Sequence, residues 1–359
     1  MSRAKAVIIA GGLGTRLRPL TYDMPKPIVS VVNRPFIVHQ IELFKQHGIT
    51  DIILSLHYMS EAIKHILGNG SEYGVKLYYC VEKDPLGTAG AVKNAEEFFG
   101  DEPLVVFNGD ILTDINISKV LDFHISRKSK VTLTLTSVDD PTAYGLVLTD
   151  KERKIKQFIE KPTWSMLEGV DCREINAGLY VLAPSIFNDV PKNKLYMFEH
   201  DLFPKLLCEG AAIYGFLSDR YWMDIGNTEK YIRAHEDILR GEVSVRIFGT
   251  RHQEGYWLGE NVSFGEAVKI FGSVLIGDRV KLNSGVALKD YTVIGEKVEI
   301  GEHSTLERCI VWRGAHIGKN VKMSNCVVGF DCKIEDDCKL NGAVLASKSL
   351  IKKGSIINV

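Results

Sequence analysis

The chain has 359 residues, of which 45% are hydrophobic and 25% charged, so it is too long for one ordinary domain and too apolar for a disordered protein. Its 44 basic and 45 acidic residues nearly cancel, which gives no reason to expect nucleic acid as a partner. No apolar run approaches the roughly 20 residues of a membrane span. Seven cysteines without a CxxC pair favour free thiols in a reducing compartment. We therefore expect a cytoplasmic protein of at least two domains that binds no membrane.

Short apolar runs alternate with helical patterns in the first part of the chain. The sequence predicts strands over 6–10, 51–56, 75–81 and 104–107, a helix from Pro35 to before Gly48, and a helix over 88–99. Strands that alternate with helices form right-handed βαβ units, so we expect an α/β domain over 1–240 with a Rossmann-like, mostly parallel sheet. Ligands of such sheets bind beyond the carboxyl ends of the strands.

From about residue 256, apolar residues recur every six positions. One row runs from Val262 through Val268, Val274 and onward, and a second row two positions later runs from Phe264 to Trp312, with the spacing slipping by one near Gly318. Neither a helix nor an ordinary strand has this period, whereas a solenoid of short parallel strands does. We expect a helix over 229–239, a linker over 241–255 and a hexapeptide-repeat β-helix over 256–359.

A glycine-rich turn follows the first strand. Residues 11–21 read Gly-Gly-Leu-Gly-Thr-Arg-Leu-Arg-Pro-Leu-Thr, which matches neither the GxGxxG fingerprint nor the P-loop. Glycines let backbone N–H groups approach an anion, and residues 1–27 hold five basic side chains and one acidic side chain. The turn predicts a polyphosphate site, and a tight turn with solvated arginines is the alternative.

This turn, followed by Pro25-Lys26-Pro27, resembles the signature of sugar-1-phosphate nucleotidyltransferases. Further segments match that family in chain order, namely 85–89 (PLGTA), 108–110 (NGD), 144–145 (YG), 160–162 (EKP), 176–178 (NAG) and 222–226 (WMDIG). The resemblance covers nearly the whole chain and implies that the tail is a left-handed parallel β-helix. It implies transfer of a nucleotidyl group from a nucleoside triphosphate to a sugar 1-phosphate. The size, the PLGTAG segment and the tail favour GTP and mannose 1-phosphate.

The resemblance also implies roles for individual residues. Arg16 would hold the β- and γ-phosphates, Lys26 the α-phosphate and the sugar phosphate, and Asp110 and Asp224 would bind Mg²⁺. The residues expected to contact the nucleotide are Gly11, Gly12, Gly14, Thr15, Glu82 and Gly87. The residues expected to bind the sugar phosphate are Tyr144, Gly145, Glu160, Lys161 and Asn176. Glu82 would accept both N1–H and the amino group of guanine, or else it is only an exposed glutamate at a strand end.

Other functions remain open at this point. One is uridylyl, thymidylyl or adenylyl transfer to glucose 1-phosphate, and another is guanylyl transfer to a heptose 1-phosphate. A regulatory homologue without turnover and a bifunctional enzyme with an acyl-transferring β-helix, with His303 or His316 as base, are further alternatives. Because an open β-helix leaves end coils and flat faces to cover, we expect a homo-oligomer built partly through 256–359.

Overall fold

A computed structural model describes residues 4–169 and 172–359, so Arg3 of the N-terminal basic cluster lies outside the described residues. The chain divides into two compact units. Unit 1 comprises Met1–Gly12 and Gln40–Trp222, and unit 2 comprises Leu13–His39 and Met223–Val359. The domain boundary expected at residue 240 stays a prediction.

Among the described residues the α-helices are α1 (Phe36–Gln46), α2 (Ser60–Leu67), α3 (Gly87–Asn94), α4 (Ile117–Ser126), α5 (Phe203–Cys208) and α6 (Thr228–Arg240). The first strands are β1 (Lys5–Ile9), β2 (Ser30–Val31), β3 (Arg34–Pro35), β4 (Asp51–Leu56), β5 (Lys76–Val81), β6 (Leu104–Asn108), β7 (Ile111–Thr113), β8 (Val131–Ser137), β9 (Gly145–Thr149), β10 (Ile155–Glu160), β11 (Glu174–Leu182), β12 (Ile213–Leu217) and β13 (Trp222–Asp224). No helix in the described part of the chain is long and apolar enough to cross a membrane.

Unit 1 is built on a mixed sheet whose neighbouring strands run in the order β10-β9-β11-β6-β1-β4-β5, with β8 beside β11 and β12 beside β8. The central strands β1, β4, β5 and β6 are parallel, as the βαβ pattern predicts. β1 is covered on both faces, since Ala6, Val7 and Ile8 are fully buried. The Rossmann-like sheet is confirmed.

The predicted alternation of strand and helix does not hold between β8 and β11. β9 pairs antiparallel with β10, and β11 pairs antiparallel with both β6 and β8. The reason is that the connections between β8, β9, β10 and β11 contain no α-helix among the described residues, and parallel neighbours need a long crossover.

Unit 2 contains the β-helix, whose three sheets run along its length. The first sheet consists of β14 (Thr250–Arg251), β15 (Trp257–Leu258), β18 (Leu275–Ile276), β21 (Val293–Ile294), β24 (Ile310–Val311), β27 (Val327–Val328) and β30 (Val344–Leu345). The second consists of β16 (Ser263–Phe264), β19 (Lys281–Leu282), β22 (Glu299–Ile300), β25 (His316–Ile317), β28 (Lys333–Ile334) and β31 (Leu350–Ile351). The third consists of β17 (Lys269–Ile270), β20 (Ala287–Lys289), β23 (Thr305–Glu307), β26 (Lys322–Ser324), β29 (Lys339–Asn341) and β32 (Ile356–Asn358).

The coils stack in register and bury most of the two predicted apolar rows, although Phe264 in the first coil is exposed. Within the first sheet Ile276 pairs with Ile294, 18 residues on, and Ile294 pairs with Val311, 17 residues on. The one-residue slip therefore falls between Glu307 and Ile310, earlier than the predicted position near Gly318. Val311 takes the place that the six-residue spacing assigned to Trp312, because the coil corner before β24 is one residue shorter.

Candidate active site

In unit 1, Gly11 and Gly12 follow the carboxyl end of β1, and Asp110 follows the carboxyl end of β6. These strands are parallel neighbours, and Ile9 is in register with Asn108. The N–H of Gly109 donates to the carbonyl of Ile9 at 2.8 Å, and a Cβ on Gly109 would lie 2.6 Å from that carbonyl oxygen. Only glycine fits so close an approach. The pairing of β1 with β6 therefore places Gly11, Gly12 and Asp110 at one edge of the sheet.

Glu82 follows β5 at the same edge and is almost completely buried. Its Oε1 accepts from the hydroxyl of Ser55 at 3.1 Å, and its Oε2 accepts from the N–H of Leu86 at 2.9 Å. Its backbone carbonyl lies 3.0 Å from Nδ1 of His57. A Cβ on Gly11 would be 3.7 Å from Glu82 Oε1, so the carboxylate lies beside the glycine turn. The predicted strand-end glutamate is thus an anchor for the loop that leads to Gly87.

Gly87 begins α3 with a φ of 74°, in the left-handed region that glycine adopts without strain. A Cβ there would lie 2.7 Å from Sδ of Met197 and 2.8 Å from the carbonyl oxygen of Tyr196. Two backbone hydrogen bonds join the same segments, from Gly90 N–H to Tyr196 and from Tyr196 N–H to Leu86. Gly87 is therefore required by close packing of the 196–197 segment as well as by its backbone angle.

The structure brings the five predicted sugar-phosphate residues together in unit 1. Gly145 is in register with Glu160 across β9 and β10, and a Cβ on Gly145 would lie 2.9 Å from Glu160 Oε2 and 4.0 Å from the Cβ of Asn176. The N–H of Lys161 donates to the carbonyl of Tyr144 at 3.0 Å. The carboxylate of Glu160 and the side chain of Asn176 therefore both lie beside Gly145, an arrangement suited to binding hydroxyl groups.

The ring of Tyr144 is supported from one side. It packs edge-on against Trp222, with ring centroids 5.4 Å apart, and Trp222 donates from Nε1 to the carbonyl of Ala177 at 2.8 Å. This contact ties the WMDIG segment to the NAG segment, which the sequence could place only in chain order.

The sequence analysis missed Glu199, which lies under these residues. Its Oε1 accepts from the hydroxyl of Tyr180 at 3.1 Å, and that hydroxyl accepts from Nδ2 of Asn176 at 2.9 Å. Its Oε2 accepts from the hydroxyl of Thr88 at 3.3 Å. Burial raises the pKa of the Glu199 carboxyl, and the nearby charge of Glu160 adds to this. The network connects the start of α3 with the predicted sugar residue Asn176.

In unit 2 the glycine-rich turn continues with Gly14, whose φ is 64°. The hydroxyl of Thr21 donates to the Gly14 carbonyl at 2.8 Å. A Cβ on Gly14 would lie 3.0 Å from the Cβ of Lys26, so the turn packs directly on the lysine. Thr15 and Arg16 are exposed in the short 3₁₀ turn Thr15–Leu17, which is anchored by the buried side chain of Leu17.

Arg16 and Asp224 also come together in unit 2. A Cβ on Gly226 would lie 3.0 Å from Oδ2 of Asp224 and 3.2 Å from Nη1 of Arg16. The other carboxylate oxygen of Asp224 forms an ion pair with Lys230, in the first turn of α6. Lys230 was missed in the sequence analysis, although it stands six residues after the aspartate of the WMDIG segment.

Asp110 in unit 1 and Asp224 in unit 2 each offer a carboxylate suited to a hard cation. Within residues 4–169 and 172–359, no three acidic, histidine or cysteine side chains gather into a metal cage. Mg²⁺ keeps several waters and is commonly bound by one or two carboxylates plus substrate phosphates. The donor chemistry of the two aspartates therefore fits Mg²⁺ held together with a phosphate substrate.

Residues 5–241 match the family model described as nucleotidyl transferase. The chain belongs to this family. The assignment made from the signature of the glycine-rich turn is thereby confirmed. The match to the family model ends one residue after the end of the expected catalytic domain. Residues 270–359 of this nucleotidyl transferase match a second model, described as GMPPB C-terminal domain.

The nucleotidyl transferase also has close relatives over most of its length. It is 34% identical to a mannose-1-phosphate guanylyltransferase of Mycobacterium tuberculosis, over 87% of this chain and 80% of the relative. It is 36% identical to a mannose-1-phosphate guanyltransferase of Debaryomyces hansenii, over 96% and 97% of the two chains. Its fold resembles the crystal structure of HddC from Yersinia pseudotuberculosis complexed with GMP-PN, with a TM-score of 0.57, 31% identity, and 66% and 99% of the two chains covered.

Proposed function

We propose that the protein catalyses the reaction of GTP with mannose 1-phosphate to give GDP-mannose and diphosphate. An oxygen of the sugar phosphate forms a bond to the α-phosphorus of GTP. The bond from that phosphorus to the oxygen bridging to the β-phosphate breaks, and the electron pair leaves with diphosphate. The observation that carries the proposal is the similarity to mannose-1-phosphate guanylyltransferases along both the catalytic part and the tail.

The nucleophile is already anionic at neutral pH, so the protein has no proton to remove. Its task is to align two anions that repel each other and to neutralise charge at the α-phosphate. In this proposal the planar guanidinium of Arg16 holds the β- and γ-phosphates, while Lys26 holds the α-phosphate and the sugar phosphate. The backbone of Gly11, Gly12, Gly14, Thr15 and Gly87 lies against the nucleotide.

Glu160 and Asn176 bind sugar hydroxyls, and Lys161 binds the sugar phosphate, in the site bounded by Tyr144 and Gly145. Support comes from the register of Gly145 with Glu160 across β9 and β10 and from the position of Asn176, on β11, beside Gly145. A carboxylate accepts from hydroxyls and an amide can donate or accept, so the pair can distinguish the orientation of neighbouring hydroxyls.

Asp110 and Asp224 would hold Mg²⁺. When bound, Mg²⁺ neutralises charge on the phosphate oxygens during transfer. Asp224 also forms an ion pair with Lys230, whose ammonium group neutralises the charge of the carboxylate. The guanidinium of Arg16 also lies near Asp224.

Glu82 reads the base in this proposal. Its oxygens already accept from Ser55 and Leu86, but each carboxylate oxygen has a second lone pair. Guanine presents N1–H and its amino group side by side and can donate to both oxygens. Adenine, uracil and thymine each place an acceptor against the carboxylate.

A substrate panel tests the proposal. Diphosphate release is measured for GTP, ATP, UTP and dTTP, each with mannose, glucose and heptose 1-phosphates. We expect GTP with mannose 1-phosphate to give the highest kcat/KM. A higher kcat/KM with glucose or heptose 1-phosphate would identify that sugar phosphate as the substrate instead of mannose 1-phosphate. No turnover of any pair would favour a regulatory homologue.

We further propose that the protein works in the cytoplasm as a homo-oligomer. The odd number of cysteines without a CxxC pair is typical of a reducing compartment. The end coils of the β-helix expose Phe264, Phe271 and Ile356, apolar residues that a second copy would cover.

A further inference from the structure

Trp312 interrupts a row of small residues along the β-helix. The residue that follows each strand of the first sheet is Gly259, Gly277, Gly295, Trp312, Gly329 and Ala346 in successive coils. These corners are tight, since a Cβ on Gly295 would lie 2.5 Å from the nitrogen of Arg313 in the next coil. A tryptophan at this corner is not needed by the repeat. It calls for a separate explanation.

The indole of Trp312 is buried and points to α6. It is 2% exposed, and its Nε1–H donates to the hydroxyl of Tyr231 at 2.9 Å. Tyr231 is fully buried, and its hydroxyl donates to the backbone carbonyl of Ser30. A second bond nearby runs from Nδ2 of Asn33 to the carbonyl of Ile294 at 2.8 Å. The β-helix is therefore bonded to the segment 30–33 directly and through one phenol.

Ser30 follows Lys26, the lysine proposed to hold phosphate, a few residues along the chain. The 3₁₀ turn Lys26–Ile28 closes with a hydrogen bond from Val29 N–H to the Lys26 carbonyl at 3.1 Å. Lys26 is packed on Gly14 of the glycine-rich turn. On the other side, Tyr231 directly follows Lys230, the partner of Asp224. The Tyr231 hydroxyl thus contacts the segment that follows Lys26, and Tyr231 itself follows the lysine that pairs with Asp224.

Trp312 determines the direction in which the Tyr231 hydroxyl donates its proton. An indole N–H can only donate, so the Tyr231 oxygen must accept from it and has its single proton left for Ser30. Without the indole, the buried hydroxyl loses a partner and the direction of its proton is no longer fixed. Because the contact is buried, no water replaces it at low cost.

We propose that Trp312 is a positioning residue for nucleotidyl transfer, which holds Lys26 and Asp224 in place through the hydroxyl of Tyr231. The β-helix is then part of the scaffold of the reaction as well as a surface for assembly. This inference rests on the proposed function, since it uses the roles of Lys26 and Asp224 given there.

The test is Trp312→Phe in the full chain, which keeps an aromatic ring and removes the N–H. We expect kcat to fall about tenfold while the KM for each substrate changes much less, because a small displacement of a charged group mainly affects the transition state. Backbone amide hydrogen exchange over residues 26–33 should become faster. Tyr231→Phe should give the same two effects, and the double variant should be no worse than the more impaired single variant.

Leu340→Ala is the matched control, because Leu340 is a buried residue of the β-helix that belongs to another sheet. It should lower the melting temperature at least as much as Trp312→Phe does, without changing kcat or the exchange of 26–33. Folded Trp312→Phe with unchanged kcat and exchange would overturn the inference, as would an equal loss of kcat in Leu340→Ala. If Trp312→Phe does not fold, Tyr231→Phe decides by the same criteria.

The exchange measurement separates this inference from the proposed function. If the unmodified protein turns over no substrate pair, the proposed function fails. The exchange of 26–33 in Trp312→Phe then decides alone whether Trp312 holds this segment.

Discussion

Glu82 shows how one side chain can have two explanations that an experiment separates. Its carboxylate anchors the loop to Gly87 through Leu86 and is also placed beside Gly11. If Glu82 only anchors the loop, its replacement should impair every nucleotide alike. If it also reads the base, the loss should be largest for GTP, because only guanine donates twice to a carboxylate.

We expect Glu82→Gln to lower kcat/KM for GTP about tenfold to hundredfold more than for UTP, since hydrogen bonds to charged groups contribute roughly 1.5–3 kcal/mol. The measurement is kcat/KM for GTP and UTP with the same sugar phosphate. Ser55→Ala is the control, because it removes a partner of Glu82 and leaves the charge. An unchanged GTP/UTP ratio in Glu82→Gln would leave the residue with its anchoring role alone.

The two aspartates lead to a second prediction. Asp110→Asn and Asp224→Asn should each lower kcat at least about 100-fold, the scale of losing a group that stabilises charge in the transition state. Both variants should fold, and excess chelator should abolish turnover by the unmodified protein. The check is diphosphate release with and without chelator, alongside circular dichroism. Turnover that persists in chelator would contradict the magnesium role.

At the level of residues, the sequence could predict the side chains that belong to compact motifs. Glu160, Lys161 and Asn176 were named from such motifs, and the fold brings them together. Glu199 and Lys230 were missed because their partners, Tyr180 and Asp224, are 19 and 6 residues away in the chain and belong to other elements. Their signal is a contact, Glu199 with Tyr180 and Lys230 with Asp224, and contacts appear only after folding.

At the level of elements, strands with clear boundaries were predicted well. β4 has the predicted limits 51–56, because a glycine turn precedes it and the apolar run is continuous. The helix predicted over 88–99 is shorter: α3 ends at Asn94, and a 3₁₀ turn over Glu96–Phe98 follows. The antiparallel pairing of β11 could not be predicted. Pairing depends on the connections between strands, and the pattern of residues within one strand does not show how long those connections are.

Helix α6 contributes a pH dependence. Burial lowers the pKa of His235 to about 4, so the residue is neutral in the folded protein at pH 6.5, the ordinary value of a histidine. Below that pH the unfolded chain binds a proton that the folded chain does not, so stability falls as the pH drops from 6.5 towards 4. The full effect corresponds to roughly 3 kcal/mol.

His235→Gln should therefore reduce the loss of melting temperature between pH 6.5 and pH 4. Melting curves at half-unit pH steps measure it. The comparison variant is His124→Gln on α4 in unit 1, because burial also lowers the pKa of His124 to about 4. Where the two units melt separately, each variant should flatten only the transition of its own unit. A parallel shift of the whole curve, with its slope kept, would show that His235 does not carry the effect.

At the level of the whole molecule, the compact units cross the boundary that the repeat suggests. Residues 13–39, which include Arg16 and Lys26, belong to the same unit as the β-helix. The change of period at residue 256 shows where the repeat begins. It does not show which upstream segments pack on the repeat. The β-helix contacts the segment that follows Lys26, through the bond from Asn33 to Ile294, so its removal should affect more than assembly.

We expect the protein to form a dimer or larger oligomer in which residues 256–359 take part. Phe264 and Phe271 in the first coil are 46% and 50% exposed, and burying them favours association. Light scattering at micromolar concentration should give at least twice the chain mass of 40.1 kDa. The double variant Phe264→Glu, Phe271→Glu should dissociate, whereas Lys333→Glu, on an exposed position of the second sheet, should not. A fully active monomer of unmodified protein would contradict this.

Strand β14 limits what such an assembly can be. It runs antiparallel to β15, while every later neighbour in that sheet is parallel. β14 occupies the outer edge of β15, so a coil from another molecule cannot pair with β15 and extend its parallel ladder. A strand from another molecule could add to this sheet only along β14, which is two residues long. The short, reversed strand therefore leaves little backbone for a second copy to pair with, which disfavours open-ended growth from this end of the first sheet.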